Sequence, residues 1–279
     1  MANGPILIIT PTLAESEFLD ATVQSVLEQK FPFIHMLAVP ASKVSAVQQR
    51  YPHAIVVPDA GRRGGIYGAI NAALDAAPRD WTWFTYINDD DRLTGALSEV
   101  VQAHLTRPEP EPVAYGEVDL INETSAVIAG ITIERGPRWI PGLLQSGISP
   151  LMQQGTLFER GLVEKIGRFD LRYRLCADLD FWLRAYASGA KFRHYPNRLA
   201  QFRIRAGQLS ADTTKTAAEQ AEIVTRHLPA RIAGWKRLYG VARFRVFNLS
   251  KYWSRLFRFG WRSSYQILGG NQPTRAVGN

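Results

Sequence analysis

Four short runs of branched or aromatic residues, Ile6 to Ile9, Ile34 to Val39, Ala54 to Val57 and Trp83 to Ile87, alternate with segments of helical rhythm. Consecutive apolar positions at this length suit strands covered on both faces. Between them, Glu15 to Gln29 carries Leu19, Val23, Val26 and Leu27 at helical spacing, and Val44 to Arg50 and Ile66 to Ala76 also read as helices. Right-handed crossovers join such units into parallel pairs, so the pattern predicts an α/β fold, a mostly parallel doubly wound sheet with helices on both faces. Ligands of these sheets collect outside the carboxyl ends of the strands. Attention therefore falls on Thr10 to Glu15, Pro40 to Lys43, Pro58 to Gly65 and Asn88 to Arg92.

Beyond the proline-rich bend PEPEP, strands over Val113 to Leu120 and Ala126 to Ile133 are expected to form an antiparallel pair, turning at Asn122 and Glu123. Leu157 to Ile166 and Asp178 to Ser188 read as helices stopped by Gly167 and Gly189, and Phe192 to Phe202 as a strand.

Charge divides the chain unevenly. The formal net charge is +8, yet the last acidic residue is Glu222, and eleven Lys and Arg residues follow it. Residues 1–222 hold twenty-two cations against twenty-five acids, a net −3. The basic character belongs to the C-terminal segment, which argues against a nucleic-acid groove across the core. A single cysteine, Cys176, excludes an internal disulfide and a multi-cysteine zinc site, and fits a reducing compartment. The N-terminus has no basic region before its short apolar run, so neither a signal peptide nor an N-terminal span is expected.

Three clusters can carry chemistry. Asp89, Asp90 and Asp91 follow the strand ending at Ile87, and their oxygen donors suit Mg²⁺ or Mn²⁺, ions that also grip diphosphates, although a solvated turn has the same letters. Asp178 and Asp180 open a helix with Phe181, Trp182 and Leu183 on its apolar side; Asp178 reads as a cap, a general base, or both. Pro58 to Gly65, with Asp59, Arg62 and Arg63, reads as a phosphate-approaching loop or a plain surface turn.

In order, the blocks ITPT, PDAGRRGGIYGAIN, INDDD, QQGTLFERGLVEKIGRFD and ADLDFWLRAYASGAKF resemble the inverting glycosyltransferases of family two, with the GT-A fold, over residues 5–210. The resemblance implies that Pro11, Thr12 and Glu15 line a nucleotide pocket with Asp59, Arg63, Asn71 and Asp89. It makes Asp90 and Asp91 the metal positions, places Gln154 and Asp180 on the acceptor side, and makes Asp178 the catalytic base. A nucleotide-diphosphate sugar would be the donor, and a saccharide or lipid-linked hydroxyl the acceptor. Ala14, Pro40 to Ser42 and Ala177 depart from the family's pattern, and Gly207, Gln208 and Ser210 resemble its closing loop, with Arg203 and Arg205 beside it. Arginine can serve a phosphate but cannot ligate a metal.

These readings give a catalytic domain over residues 1–222 and a basic, aromatic helical extension over 223–279. Lys251, Arg255, Arg258 and Arg262 share one helical rhythm while Leu249, Trp253 and Leu256 follow another face, the form of a helix lying on an anionic membrane surface. A helix packed on the domain has the same pattern. The expected location is cytoplasmic, peripheral at the inner face of a membrane. A non-catalytic sugar or nucleotide binder and a nucleotidyltransferase are the alternatives. The second calls for a glycine- and arginine-rich loop after the first strand, and PTLAESEFLD has none.

Overall fold

The computed structural model describes residues 4–59, 61, 64–205, 213–228 and 230–259. The N-terminal half alternates as expected: β1 (Ile6–Pro11), α1 (Leu19–Leu27), β2 (Phe33–Val39), α2 (Val44–Arg50), β3 (Ile55–Pro58), α3 (Gly65–Ala76) and β4 (Trp83–Tyr86). There follow β5 (Arg92–Leu93), α4 (Gly95–Leu105), β6 (Val113–Ile121), β7 (Val127–Gly130), α5 (Ile140–Leu144), β8 (Leu157–Glu159), α6 (Arg160–Ile166), α7 (Ala177–Ala187) and β9 (Phe192–Arg203). Three C-terminal helices complete the chain: α8 (Thr213–His227), α9 (Gly234–Phe247) and α10 (Leu249–Phe259).

One sheet runs β3-β2-β1-β4-β8-β6-β9-β5, with β7 paired to β6. Its first four strands are parallel, β8 is antiparallel to both β4 and β6, and β9 is parallel to β6. Strand β1 explains the unbroken apolar run, since Leu7 and Ile9 join the core on one face while Ile6 and Ile8 join the core on the other. Each such side chain contributes about 1.5–3 kcal/mol on burial, enough to fix which residues pair.

Boundaries differ from the sequence reading in three places, the first being β7, which ends at Gly130 rather than at Ile133. Leu157 to Glu159 is strand rather than the first turn of a helix, because these residues pair with Trp83 and Phe84 on one side and with Val113 and Ala114 on the other. They bridge the two halves of the sheet, and pairing overrides local periodicity. Helix α1 begins at Leu19 rather than at Glu15. The preceding residues form a loop in which Ala14 takes a left-handed backbone (φ 56°) and its N–H donates to Thr12 Oγ1 at 2.8 Å.

The expected domain boundary after residue 222 lies inside α8. Glu219 of that helix accepts the backbone N–H groups of Arg174, Leu175 and Cys176 at 2.9–3.0 Å, and Glu222 accepts Tyr173 Oη–H at 3.1 Å. Helices α9 and α10 pack on α5 and β7, with Phe244 and Asn248 buried. Arg243 donates to Glu134 at 2.5 Å, and Lys251 pairs with the buried Glu117 of β6. Lys251, expected on a lipid-facing cationic stripe, instead spends its charge inside the protein. The Arg255 and Arg258 side chains and Arg262 lie outside the described residues, as do Arg63, Gly207, Gln208 and Ser210. Among the described residues no helix is long and apolar enough to cross a membrane.

Gly155 precedes the bridging strand at φ +75°, and a Cβ there would stand 2.6 Å from Leu199 Cβ. Gly155→Ala is therefore expected to cost about 3 kcal/mol, combining left-handed strain with overpacking. A lower urea midpoint at unchanged m-value is the readout.

Candidate functional site

The carboxylate cluster stands where β4 ends, beside the end of β1. Thr12 Oγ1 donates to Asp89 Oδ2 at 2.5 Å, and Ser16 Oγ donates to the Asp89 carbonyl at 3.1 Å, tying the loops after β1 and β4 together. Burial holds the Asp89 carboxyl above its ordinary range, against the lowering effect of the Thr12 hydrogen bond.

Asp91 is completely buried. Its Oδ1 accepts the Arg203 N–H at 2.8 Å, and its Oδ2 accepts Gln154 Nε2 at 2.8 Å and Asn88 Nδ2 at 3.2 Å. Burial first, and the neighbouring Asp90 charge second, push its carboxyl well above the usual range. Both Asp91 oxygens thus face protein donors, which sets this residue apart from the metal-binding role expected for it. Gln154, expected to face the acceptor, is buried and turned to Asp91; its Oε1 has no partner among the described residues.

Asp90 is 6% exposed, and its Oδ2 accepts Arg205 Nε–H at 2.7 Å. Arg203 is fully buried: its Nε donates to the Asp90 carbonyl, its Nη1 to the carbonyls of Asn122 and Glu123, and its Nη2 to Ser125 Oγ. Its guanidinium also lies 4.1 Å from the Phe18 ring centroid. Arg203 is therefore no free phosphate ligand, as a basic loop would have supplied, but the tie between the β4 loop, the β6–β7 turn and the end of β9.

Across the site, Asp178 lies in the first turn of α7, after Cys176, so it does not cap the helix. Tyr67 Oη donates to Asp178 Oδ1 at 3.1 Å and reaches the Leu175 carbonyl at 3.2 Å; the Leu179 N–H donates to the same Oδ1 at 2.9 Å. Desolvation raises the Asp178 carboxyl above its ordinary value, and no Lys, Arg or His pairs with it among the described residues. Tyr86, at the end of β4, stands between the two carboxylate groups: burial raises its phenol well above the usual range, with Asp178 the next cause and Asp91 a further one.

Asp180, expected beside an acceptor, faces elsewhere. Two residues along a helix turns a side chain through about 200°, and Asp180 is 1% exposed, held by Arg184 Nε at 2.8 Å and His227 Nε2 at 2.7 Å. Asn71, placed with the donor residues, spends its amide on the Phe169 backbone, donating to its carbonyl at 2.9 Å and accepting its N–H at 3.0 Å. Glu15 is an exposed partner of Lys43 at 2.6 Å, and Asp59 Oδ1 accepts the Gly61 N–H at 2.9 Å in a tight turn. Pro11 ends β1 next to Thr12, at the mouth of the parallel sheet. Tyr67 and Tyr86 were not singled out from the sequence. Tyr67 stands four residues before Asn71 on one face of α3, and that spacing was the available signal.

A parallel half-sheet joined through an antiparallel strand to a mixed second half is the fold of GT-A glycosyltransferases. Similar solved structures include S. aureus TarS 1-349 in complex with UDP-GlcNAc (TM-score 0.60, 16% identity, 95% of this chain and 78% of that one). Another is the mannosyltransferase PcManGT from Pyrobaculum calidifontis in complex with GDP-Man and Mn²⁺ (TM-score 0.59, 15% identity, 91% and 74%). The model of glycosyl transferase family 2 matches residues 7–130. A PGL/p-HBAD biosynthesis glycosyltransferase of Mycobacterium bovis is 27% identical over 204 residues, 70% of this chain and 75% of the relative. An uncharacterized glycosyltransferase of Mycobacterium tuberculosis is 28% identical over 200 residues, 66% and 70% respectively.

The two arginines give contrasting expectations. Arg203→Met leaves the Asp90, Asn122 and Glu123 carbonyls without their side-chain donor, while its backbone N–H still reaches Asp91, and should cost about 3–5 kcal/mol. Arg205→Ala removes a partly exposed pair and should change stability by about 1 kcal/mol or less. Chemical denaturation of both variants checks the difference.

Proposed function

We propose that this glycosyltransferase moves a sugar from a nucleotide-diphosphate sugar to an acceptor hydroxyl with inversion, using Asp178 as the base. The observation that carries this reading is the solitude of Asp178. Asp170, Asp180 and Asp119 are each paired with an arginine, whereas Asp178 has a tyrosine and a backbone N–H on one oxygen, no cation among the described residues, and a raised proton affinity. A carboxylate in that state can take a proton, while one neutralised by a guanidinium is a weaker base.

The acceptor O–H gives its proton to Asp178, the oxygen forms a bond to the anomeric carbon, and the bond to the diphosphate oxygen breaks on the opposite face. Tyr67 and the Leu179 N–H hold the base in one orientation during this exchange. Thr12, Asp89 and Pro11 would meet the nucleotide of the donor, with Asp59 and Glu15 beside them.

A divalent cation, Mn²⁺ or Mg²⁺, fits the donor set in a limited way. Among the described residues no three acidic, His or Cys side chains converge on one point. Such ions are commonly held by one or two carboxylates with substrate phosphates and water, and Asp90 with Asp89 offers that. When bound, the ion would neutralise charge on the departing diphosphate. Arg205, now on Asp90, is the cation that would have to yield or share that carboxylate. The Mn²⁺ in the PcManGT complex supports a divalent cation as the cofactor.

A saccharide or lipid-linked acceptor is favoured by the mycobacterial relatives named for PGL/p-HBAD biosynthesis and by the C-terminal helices, whose exposed Trp235, Leu238, Phe247, Trp253 and Phe257 suit a membrane interface. The protein would then work peripherally, at the inner face of a membrane.

Asp178→Asn is the test. Loss of the base should lower kcat about 10²–10⁴-fold with the donor-diphosphate thermal shift retained. A carboxyl whose folded pKa is raised weakens the native state as pH climbs from its unfolded value through its folded one. Asp178→Asn should therefore raise the melting temperature at neutral pH, and the acid limb of kcat/KM in the parent should lie above the ordinary aspartate range. Unchanged turnover in Asp178→Asn would exclude Asp178 as the base.

A further inference from the structure

A groove of about 390 Å³ lies between the 137–142 segment and the start of α9, away from the carboxylate site, lined by Arg138, Trp139, Gly142, Arg231, Lys236 and Gly240 with their neighbours. Its composition is one-sided. Three cations line it, no acid does, and among the described residues none of Arg138, Arg231 and Lys236 has an acidic partner. Glu134, which shares Arg243 with the Trp139 ring, is already paired with that arginine.

The groove is also firmly built. Gln145 Nε2 donates to the carbonyls of Leu228 and Ala230, its Oε1 accepts the Ile232 N–H, and Arg237 Nη2 donates to the Gln145 carbonyl. These bonds fix the approach to α9 against α5. Trp139 packs against Tyr239 at 5.3 Å between ring centroids, with the Arg243 guanidinium 5.6 Å from the Trp139 ring. Gly240 leaves room for this contact, since a Cβ there would meet the Trp139 ring at 3.4 Å. The amino end of α9 adds its partial positive charge.

Directly beside the cations, α9 exposes an apolar stripe. Trp235, Leu238, Tyr239 and Val246 recur at helical spacing and are 69%, 72%, 56% and 68% exposed. The opposite face of the same helix carries the buried Gly240 and Phe244. A free phosphate or a soluble sugar phosphate would satisfy the cations and leave this stripe in water. A lipid covers both, its phosphate in the groove and its acyl region against the indole and leucine.

We infer that the groove between residues 137–142 and α9 is a binding site for the phosphate of a membrane-lipid headgroup. The site lies outside the transfer machinery and goes beyond the proposed function, because it requires neither Asp178 nor a donor. Its occupancy would hold α9 at the lipid surface through a defined ionic contact rather than through diffuse basic charge.

Flotation of the full chain with vesicles tests this. Phosphatidylcholine vesicles containing phosphatidylglycerol should be bound, and pure phosphatidylcholine vesicles bound far more weakly. The triple variant Arg138→Ala, Arg231→Ala, Lys236→Ala should lose about a hundredfold in affinity for the anionic vesicles, the effect of three cations near the surface. A control variant, Lys30→Ala, Arg79→Ala, Lys191→Ala, removes the same charge near the amino ends of β2, β4 and β9 and should bind like the parent. Equal loss in both variants would mean unspecific charge attraction and overturn the proposal. Stabilisation of the parent, but not of the groove variant, by inorganic phosphate with no vesicle binding would assign the groove to a soluble anion and equally overturn it. The melting temperature and the donor-diphosphate shift of the groove variant should match the parent, so a failed transfer reading and a failed lipid site give different patterns.

Discussion

Arg203 is the interaction on which the site depends. A guanidinium buried this deeply survives only if its donors find acceptors, and here they find the Asp90, Asn122 and Glu123 carbonyls and a serine hydroxyl. Its own backbone N–H closes on Asp91, which in turn collects Gln154 and Asn88. The consequence is structural economy: one side chain holds together three segments distant in sequence and aims the acidic loop. Buried charge at this site serves mainly to position other groups, and Asp178, the proposed base, stands outside such pairing among the described residues.

That division separates chemically identical residues. Asp178 and Asp180 are two positions apart on α7, yet Asp180 is sealed between Arg184 and His227 while Asp178 faces Tyr67 with no cationic partner among the described residues. Asp90 and Asp91 divide likewise, one on a partly exposed arginine and the other in a closed polar network. Helical and loop geometry, rather than residue type, decides which carboxylate is closed off by charged partners.

The parallel half of the fold was legible because both faces of β1, β2 and β4 are buried, which writes a continuous apolar run into the chain. The second half was less so. Strand β8 is three residues long and continues directly into α6, so periodicity alone assigns it to the helix, and only pairing with β4 and β6 reveals it. Helix α4 escaped the reading altogether, as did the two-residue β5 before it. At the site, the position of Asp89 to Asp91 at a strand end was readable. The partners that sort them were not, because Arg203 lies more than a hundred residues further along the chain and acts through acceptors of the backbone. The pairing of Asp180 with Arg184 was visible as an i, i+4 spacing, whereas its contact with His227 is a product of tertiary packing.

The pair between Lys251 and Glu117 has a wider meaning. It fastens the last described helix to a central strand of the same sheet that carries the active loop, and Asn248 and Phe244 fill the joint beside it. A catalytic body joined this stiffly to its outermost helices has little freedom to tilt. Any surface those helices rest on becomes a fixed floor, and the reactive hydroxyl must be presented at one set height above it. Under the proposed function the joint would work as a gauge of length: acceptors whose reactive end stands too near the floor or too far from it would be passed over for reasons of reach, before their chemistry is ever tested.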